Sequence, residues 1–332
     1  MKAIVRGKYG SPDVLRLEEV ERPVPLDNEV LLQVHAASVN ALDWHLLRGK
    51  PFVARIGMGL FKPKSKMLGA DVAGRVESVG KDVKQFSQGD EVFGTAAASF
   101  VEYAVARENN LALKPRNLTF EESAAVPVAA ITALQGLRDT GKIHAGQKVL
   151  VNGASGGVGT FAVQIAKSFD TEVTGVCSTR NLEIARSIGA DHVIDYTKED
   201  FTINGEGYDL ILDVAGNRSV SDYKHALKVH GICVITGFSS FSRLIEHIIM
   251  GKLLSTKYKK VGLMGVAKIN QKDLIVLKEL IETGKVKPVI DRRYPLSETS
   301  EAIRYLEEGH ARGKSVIMVE HGSLPPSQGV VS

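Results

Sequence analysis

The sequence predicts an α/β chain in which a β-rich domain accompanies a doubly wound parallel sheet. Three patterns carry that prediction. An apolar run from Lys148 to Asn152 enters the glycine-rich turn Gly153-Ala154-Ser155-Gly156-Gly157-Val158-Gly159 and then a helical pattern. Downstream, short apolar strands alternate with helical stretches, as in a parallel sheet covered on both faces. Upstream, strand-like segments follow one another between Pro, Gly, Asp and Asn turns, which reads as a β-rich domain.

In chain order, the upstream strands are expected at 14–18, 29–39 and 73–80. Thr119 and Glu122 then form a capping box for a helix running to Arg138 with a kink at Pro127, carrying the chain between domains. After the glycine turn, apolar residues at Val158, Phe161, Ala162, Ile165, Ala166 and Phe169 keep a helical spacing. Further strands are expected at 172–177, 192–195, 208–213 and 231–236, and an edge strand at 261–266. A helix around Leu274, Leu277 and Ile281 ends near Gly284. The chain then returns to the first domain, and residues 321–332 read as a disordered tail. No internal repeat is visible.

The strand-turn-helix at 148–169 has the local geometry for a dinucleotide pyrophosphate. Free N–H groups and the positive end of the helix dipole meet the phosphates, and only small residues let the backbone approach them. Gly156 and Gly159 fit the second and third glycines of the fingerprint, and Ala154 stands where the first is expected. Ser155, Gly156, Gly157, Val158 and Gly159 are the candidate phosphate contacts. A purely structural turn is the competing reading, and the surrounding strands decide against it. About twenty residues beyond the turn, an acidic residue grips the ribose 2′-hydroxyl in NAD sites. Here the chain reads Ser178-Thr179-Arg180-Asn181. Hydroxyls and a guanidinium suit a 2′-phosphate, so NADPH is preferred to NADH, with Ser178 and Arg180 as its candidate contacts.

Composition bounds the remaining possibilities. At 332 residues and 44% hydrophobic content, the chain suffices for two filled domains. No apolar stretch reaches membrane-spanning length, and Met1-Lys2-Ala3-Ile4-Val5 begins like a strand and not a signal peptide, so cytoplasmic residence is expected. Two cysteines, Cys177 and Cys233, sit in apolar strand-like runs, which makes them core residues and excludes a multi-cysteine metal site. The net charge of +4 is spread among acids, and no nucleic-acid motif is present.

The chain resembles the medium-chain dehydrogenase/reductases, and within them the zinc-free quinone oxidoreductase branch. Ser38-Val39-Asn40-Ala41-Leu42-Asp43-Trp44, Leu68-Gly69-Ala70-Asp71-Val72-Ala73-Gly74, Gly89-Asp90-Glu91-Val92-Phe93-Gly94, the turn at 153–159 and Gly189-Ala190-Asp191 carry the resemblance. It implies a GroES-like β-rich catalytic domain over 1–122 and 268–320, and a Rossmann NADP-binding domain over 123–267. The active site is expected between them. Where zinc-containing relatives place a Cys, a His and a second Cys, the motifs align Asn40, Ala70 and a residue near Val128. Alanine and valine bind no metal, and Asn is a poor zinc ligand, so no metal site is expected.

Without a Lewis acid, acceptors that are already electrophilic suit hydride transfer best. The expected substrate is thus a quinone or an α,β-unsaturated carbonyl compound. Asn40 is a candidate for a hydrogen bond to the substrate carbonyl or the nicotinamide ribose. His45, at a position often tyrosine in similar reductases, is a candidate donor to the developing oxyanion. A turn residue and an exposed histidine without a role are the competing readings. Asp43 and Asp71 are expected to be structural and Trp44 to pack, while Phe52, Phe61 and Met264 are candidate pocket walls, with core packing the preferred reading for each. The superfamily layout further implies cofactor contacts at Tyr196, Ala215, Thr236, Gly237 and Phe238, and from the returning chain at Arg312 and Lys314, for which surface solvation is the competing reading. The edge strand at 261–266 offers pairing across a two-fold axis, so a homodimer is a candidate assembly beside a monomer. The alternative function is a non-catalytic NADPH-binding protein. A membrane-peripheral module would need an amphipathic or polybasic anchor, and none is evident in the sequence.

Overall fold

The computed structural model describes residues 1–52 and 55–321. Strands β1 (Lys2–Arg6) and β2 (Leu15–Glu19) form an antiparallel hairpin. Next come β3 (Glu29–Ser38), helices α1 (Ala41–Arg48) and α2 (Arg55–Met58), and strands β4 (Asp71–Val79), β5 (Glu91–Thr95), β6 (Tyr103–Arg107) and β7 (Leu111–Leu113). Of these, β3 is the organiser. Ten residues long, it pairs β4 along its length, β6 at its start and the last strand of the chain at its end.

Helices α3 (Phe120–Ala124) and α4 (Pro127–Gln135) lead to the second sheet. The single kinked helix expected from Thr119 to Arg138 is two α-helices followed by a π-turn over Gly136–Thr140. Proline has no N–H and blocks the preceding turn, so Pro127 opens a new helix at its first position. The Thr119–Glu122 capping box is present as expected.

The second unit alternates β8 (Lys148–Asn152), α5 (Gly157–Lys167), β9 (Glu172–Cys177), α6 (Leu182–Ser187), β10 (His192–Asp195), β11 (Tyr208–Asp213), α7 (Val220–Ala226), β12 (Leu227–Ile235), α8 (Phe241–Leu254) and β13 (Lys260–Leu263). Its six strands are all parallel and lie in the order β10-β9-β8-β11-β12-β13. Strands β8 and β11 are nearly wholly buried because helices cover both faces, which explains their continuous apolar runs. The edge strand ends at Leu263, three residues short of the expected Val266, and Val266 is exposed.

Helix α9 (Gln271–Glu282) returns the chain through β14 (Ile290–Pro295), α10 (Thr299–Glu307) and β15 (Lys314–Met318), the last pairing antiparallel with the end of β3. One apolar cluster runs through both units, joining Ala36, Phe93 and Val316 to Leu134, Val151 and Phe161 across α3 and α4. The tail expectation needs correction at its first residue. His321 donates from Nε2 to the Val34 carbonyl at 2.7 Å, while 322–332 lie outside the described residues. Phe52 and Phe61, expected to pack, are exposed.

Candidate functional site

The strand order reverses between β8 and β11, so the helices that follow them leave to opposite faces and a crevice opens at their carboxyl ends. A cleft of about 680 Å³ lies there. Asn152 at the end of β8 donates from Nδ2 to Asp213 Oδ1 at the end of β11 at 2.8 Å, and to Asn217 Oδ1 at 3.0 Å. Asp213 also accepts from the Gly216 N–H at 3.0 Å and from the Tyr223 hydroxyl. Burial raises the pKa of the Asp213 carboxyl, against the lowering effect of these donors, the Tyr223 hydroxyl foremost. The network fixes loop 213–217, one wall of the cleft. Loop 236–239 lies directly on that wall. A Cβ at Gly237 would meet the Val214 carbonyl oxygen at 2.1 Å, and one at Gly216 the Gly237 carbonyl oxygen at 2.3 Å.

The glycines of the turn divide by what surrounds them. Gly153, with φ +91°, makes the sharp bend that sequence reasoning looked for at Ala154; its position directly after the strand was the available signal. A Cβ at Gly159 would sit 2.0 Å from the Gly153 carbonyl oxygen, so that glycine serves the close packing of helix on turn. Gly156 differs, since its φ is an ordinary −84° and an added Cβ would meet nothing nearer than 3.6 Å. Neither backbone nor protein packing demands glycine there. What the missing side chain leaves is open room in the cleft, beside the N-terminus of α5, which suits a pyrophosphate.

Further along the cleft, Ser155 Oγ accepts from Asn181 Nδ2 at 2.9 Å, and Asn181 Oδ1 is buried with no partner, an acceptor suited to a ribose hydroxyl. Arg180 and the half-exposed Tyr196 line the same end together with Ser178, Thr179 and Thr197. The Asp195 carboxylate is occupied by the Thr179 hydroxyl at 2.5 Å and the Thr197 hydroxyl at 2.7 Å, and the Thr179 bond foremost holds its pKa below the ordinary range. Sequence reasoning quoted Thr179 and Asn181 beside Arg180 without assigning them these bonds, and missed Thr197, because a hydroxyl after a strand carries no distinctive pattern.

The second group of candidates stands where β15 returns beside β3. Asn40 caps α1, and the Asp43 carboxylate accepts from the Asn40 backbone N–H at 2.8 Å. Asn40 Nδ2 donates to Asp71 Oδ2 at 2.8 Å, and Asn40 Oδ1 accepts from Lys314 Nζ at 2.6 Å. That assignment is forced, since an ammonium only donates and a carboxylate only accepts. Asp71 further accepts from the Ser38 hydroxyl at 2.7 Å and the Val128 N–H at 2.8 Å. Burial pushes the Asp43 carboxyl up to about 7, with the Asp71 charge adding to the effect. His45 stacks on Trp44 with ring centroids 3.8 Å apart and lies 5.2 Å from Phe238 of the parallel-sheet unit. Its Nδ1 is buried without a partner, and burial lowers its pKa, favouring the neutral imidazole.

The structure therefore brings together Ser155, Gly156, Ser178, Arg180, Tyr196 and Ala215 along one cleft. Gly157, Val158 and Gly159 form the first turn of α5, and Thr236 and Gly237 lie against loop 213–217. Arg312 is exposed, with its backbone N–H on Asp291 at 2.8 Å. The Lys314 ammonium is directed at Asn40 and Asp71, away from the place expected for it at the phosphates. Zinc does not fit the motif positions. An ammonium already lies against Asn40 and Asp71, Ala70 and Val128 offer no side-chain donor, and both cysteines are buried in the parallel sheet. Among the described residues no three His, Cys, Asp or Glu side chains gather as metal ligands.

Residues 26–135 match the family model described as "Alcohol dehydrogenase GroES-like domain", and residues 188–317 the one described as "Zinc-binding dehydrogenase". The chain is 35% identical to "Quinone-oxidoreductase QR1, chloroplastic" of Triphysaria versicolor, covering 96% of this chain and 98% of the relative. It is 36% identical to "NADPH-dependent alkenal/one oxidoreductase, chloroplastic" of Arabidopsis thaliana, covering 96% of this chain and 79% of that one. The solved quinone oxidoreductase of Coxiella burnetii superimposes with a TM-score of 0.84 at 32% identity, over 96% of this chain and 99% of that one.

Proposed function

The chain belongs to the medium-chain dehydrogenase/reductase superfamily, in its quinone oxidoreductase-like branch, and from that premise we propose that it is a zinc-independent NADPH-dependent reductase of quinones or α,β-unsaturated carbonyl compounds. The observation that carries the reading is Gly156, a glycine with ordinary φ and open space that the protein itself does not use, at the N-terminus of α5. The names of the quinone and alkenal/one relatives support the two acceptor classes.

When bound, the nicotinamide supplies a hydride for the quinone carbon or the enone β-carbon. The turn at 153–159 and the N-terminus of α5 hold the pyrophosphate, and Arg180 with Ser178 and Tyr196 takes the 2′-phosphate in preference to a bare hydroxyl. The Asn40 amide gives one N–H to Asp71 at 2.8 Å and the other, weakly, to the Ser38 carbonyl at 3.5 Å, so its remaining Oδ1 lone pair is the group that accepts from a ribose hydroxyl. His45, neutral and carrying one N–H, faces Phe238 across the units and donates to the oxygen on which negative charge collects. Solvent completes the protonation. The edge strand β13 offers unpaired backbone for a second copy across a two-fold axis. The chloroplastic names belong to the relatives and lend the cytoplasmic expectation no support.

The reading is tested by anaerobic NADPH oxidation with chelator-treated protein and a benzoquinone, a naphthoquinone, a short enone, a long-chain alkenal and a simple ketone, repeated with NADH. Chelator-resistant turnover of the quinones or enones, faster with NADPH, is expected. Cofactor binding with no turnover of any acceptor would transfer the assignment to a non-catalytic NADPH-binding protein.

A further inference from the structure

Lys314 is the one buried lysine among the described residues, only 3% exposed. Its three donors meet three acceptors: the Val39 carbonyl at 3.1 Å, Asn40 Oδ1 at 2.6 Å and Asp71 Oδ2 at 3.3 Å. An ammonium so satisfied has no donor left for a phosphate. Its stem makes a different contact. A Cβ on Gly157 would stand 3.0 Å from Lys314 Cδ, so the methylenes lie against the first turn of α5. One side chain thus spans from the turn read as the pyrophosphate seat to the carboxamide that opens α1.

We propose that Lys314 is a positioning residue that couples the glycine turn to Asn40. Phosphates settling on the turn shift the first turn of α5 against the stem, and the ammonium passes the shift to the Asn40 carboxamide and so to α1, where His45 stands. The buried pairing is stiff enough for this, because separating a desolvated ammonium from the Asp71 carboxylate and the Asn40 oxygen leaves charge uncompensated. The proposal rests on the reading of the turn as the NADPH seat.

Trp44 lies on α1 and is the chain's only tryptophan, so its emission reports the helix. The probe is 2′-phospho-ADP, which has the pyrophosphate but neither the nicotinamide, which would quench the indole, nor the second ribose, which would meet Asn40 directly. Binding is followed by calorimetry and Trp44 by fluorescence, in the full chain and in Lys314→Met, which keeps an apolar stem and removes the ammonium. The native protein is expected to bind with a change in Trp44 emission. Lys314→Met is expected to bind within about threefold of native affinity, a free-energy cost below 1 kcal/mol, and to lose the emission change. Lys314→Arg, keeping a cation, restores part of it. Should Lys314→Met fail to melt cooperatively, Asn40→Ala cuts the same link from the other end and is expected to lose the signal likewise. Persistence of the emission change in a variant that folds overturns the coupling, as does a native protein that binds without it. A tenfold or greater loss of affinity in Lys314→Met makes Lys314 a phosphate ligand and also overturns it. Failure of the native protein to bind the probe at all refutes the cofactor reading itself.

Discussion

Asn152 and Asp213, 61 residues apart in sequence, close the first and fourth strands of the parallel sheet and share a buried hydrogen bond of 2.8 Å across the switch point. The bond ties the two strand ends that bound the cleft. Asp213→Ala leaves the Asn152 amide, the Gly216 N–H and the Tyr223 hydroxyl short of an acceptor in the interior. A loss of about 3–5 kcal/mol is expected, measured by urea unfolding, because a broken buried network leaves its remaining members unpaired. Asp213→Ala unfolding within 1 kcal/mol of native would mean that the loop is held by its glycine contacts alone.

Two glycines of the turn should separate binding from folding. Gly156→Ala puts a methyl into the cleft and nothing else, so NADPH affinity should fall about tenfold or more while stability moves by no more than about 0.5 kcal/mol. Gly159→Ala drives a Cβ toward the Gly153 carbonyl and should destabilise the fold by about 1–3 kcal/mol. Thermal melts paired with cofactor titration distinguish them; equal melting losses would mean that both glycines serve packing.

Arg180 tests cofactor choice. A charge-assisted hydrogen bond of about 1.5–3 kcal/mol to the 2′-phosphate corresponds to roughly a ten- to hundredfold loss of NADPH affinity in Arg180→Ala, with NADH affinity unchanged. Parallel titrations check it. Equal losses with both cofactors would place the guanidinium on a group that the two share.

Asp43 gives a signed dependence on pH. Its carboxyl is raised to about 7 in the fold by burial, far above its ordinary value near 4, so the folded state binds more protons between these limits. Its contribution is full below about pH 4 and is lost as pH rises through about 7. Asp43→Asn has no such slope. The melting temperature of Asp43→Asn minus that of the native protein should therefore rise from pH 5.5 to pH 8; a difference that stays flat would mean that Asp43 is ionised throughout.

The strands and the glycine turn were legible because their patterns are local. A continuous apolar run such as 148–152 is what a strand buried on both faces needs, and its successor glycines announce the helix. The Thr119 cap was equally plain and Pro127 marked where the helix is interrupted, but the π-turn after Gln135 has no such local signal. Ser178 and Arg180 were flagged through their distance from the turn and Tyr196 through the family resemblance, and the three line one cleft. Lys314 was flagged for the wrong neighbour, because its pairing with Asn40 spans 274 residues and is set by how β15 returns along β3. No spacing rule reaches that far. That Gly156 leaves room for phosphates was legible from its place in the fingerprint, but that nothing in the protein itself requires a glycine there needed its φ and surroundings.

In the proposed reaction, hydride passes directly from NADPH in this cleft to an electrophilic carbon. The most direct measurement uses NADPH deuterated at one or the other face of C4, a short enone as acceptor and mass spectrometry of the product. Deuterium from a single face should appear at the former β-carbon, undiluted by solvent hydrogen, with the Gly156→Ala protein showing the same label at lower turnover. Product without deuterium at that carbon, or label from both faces alike, would contradict the account.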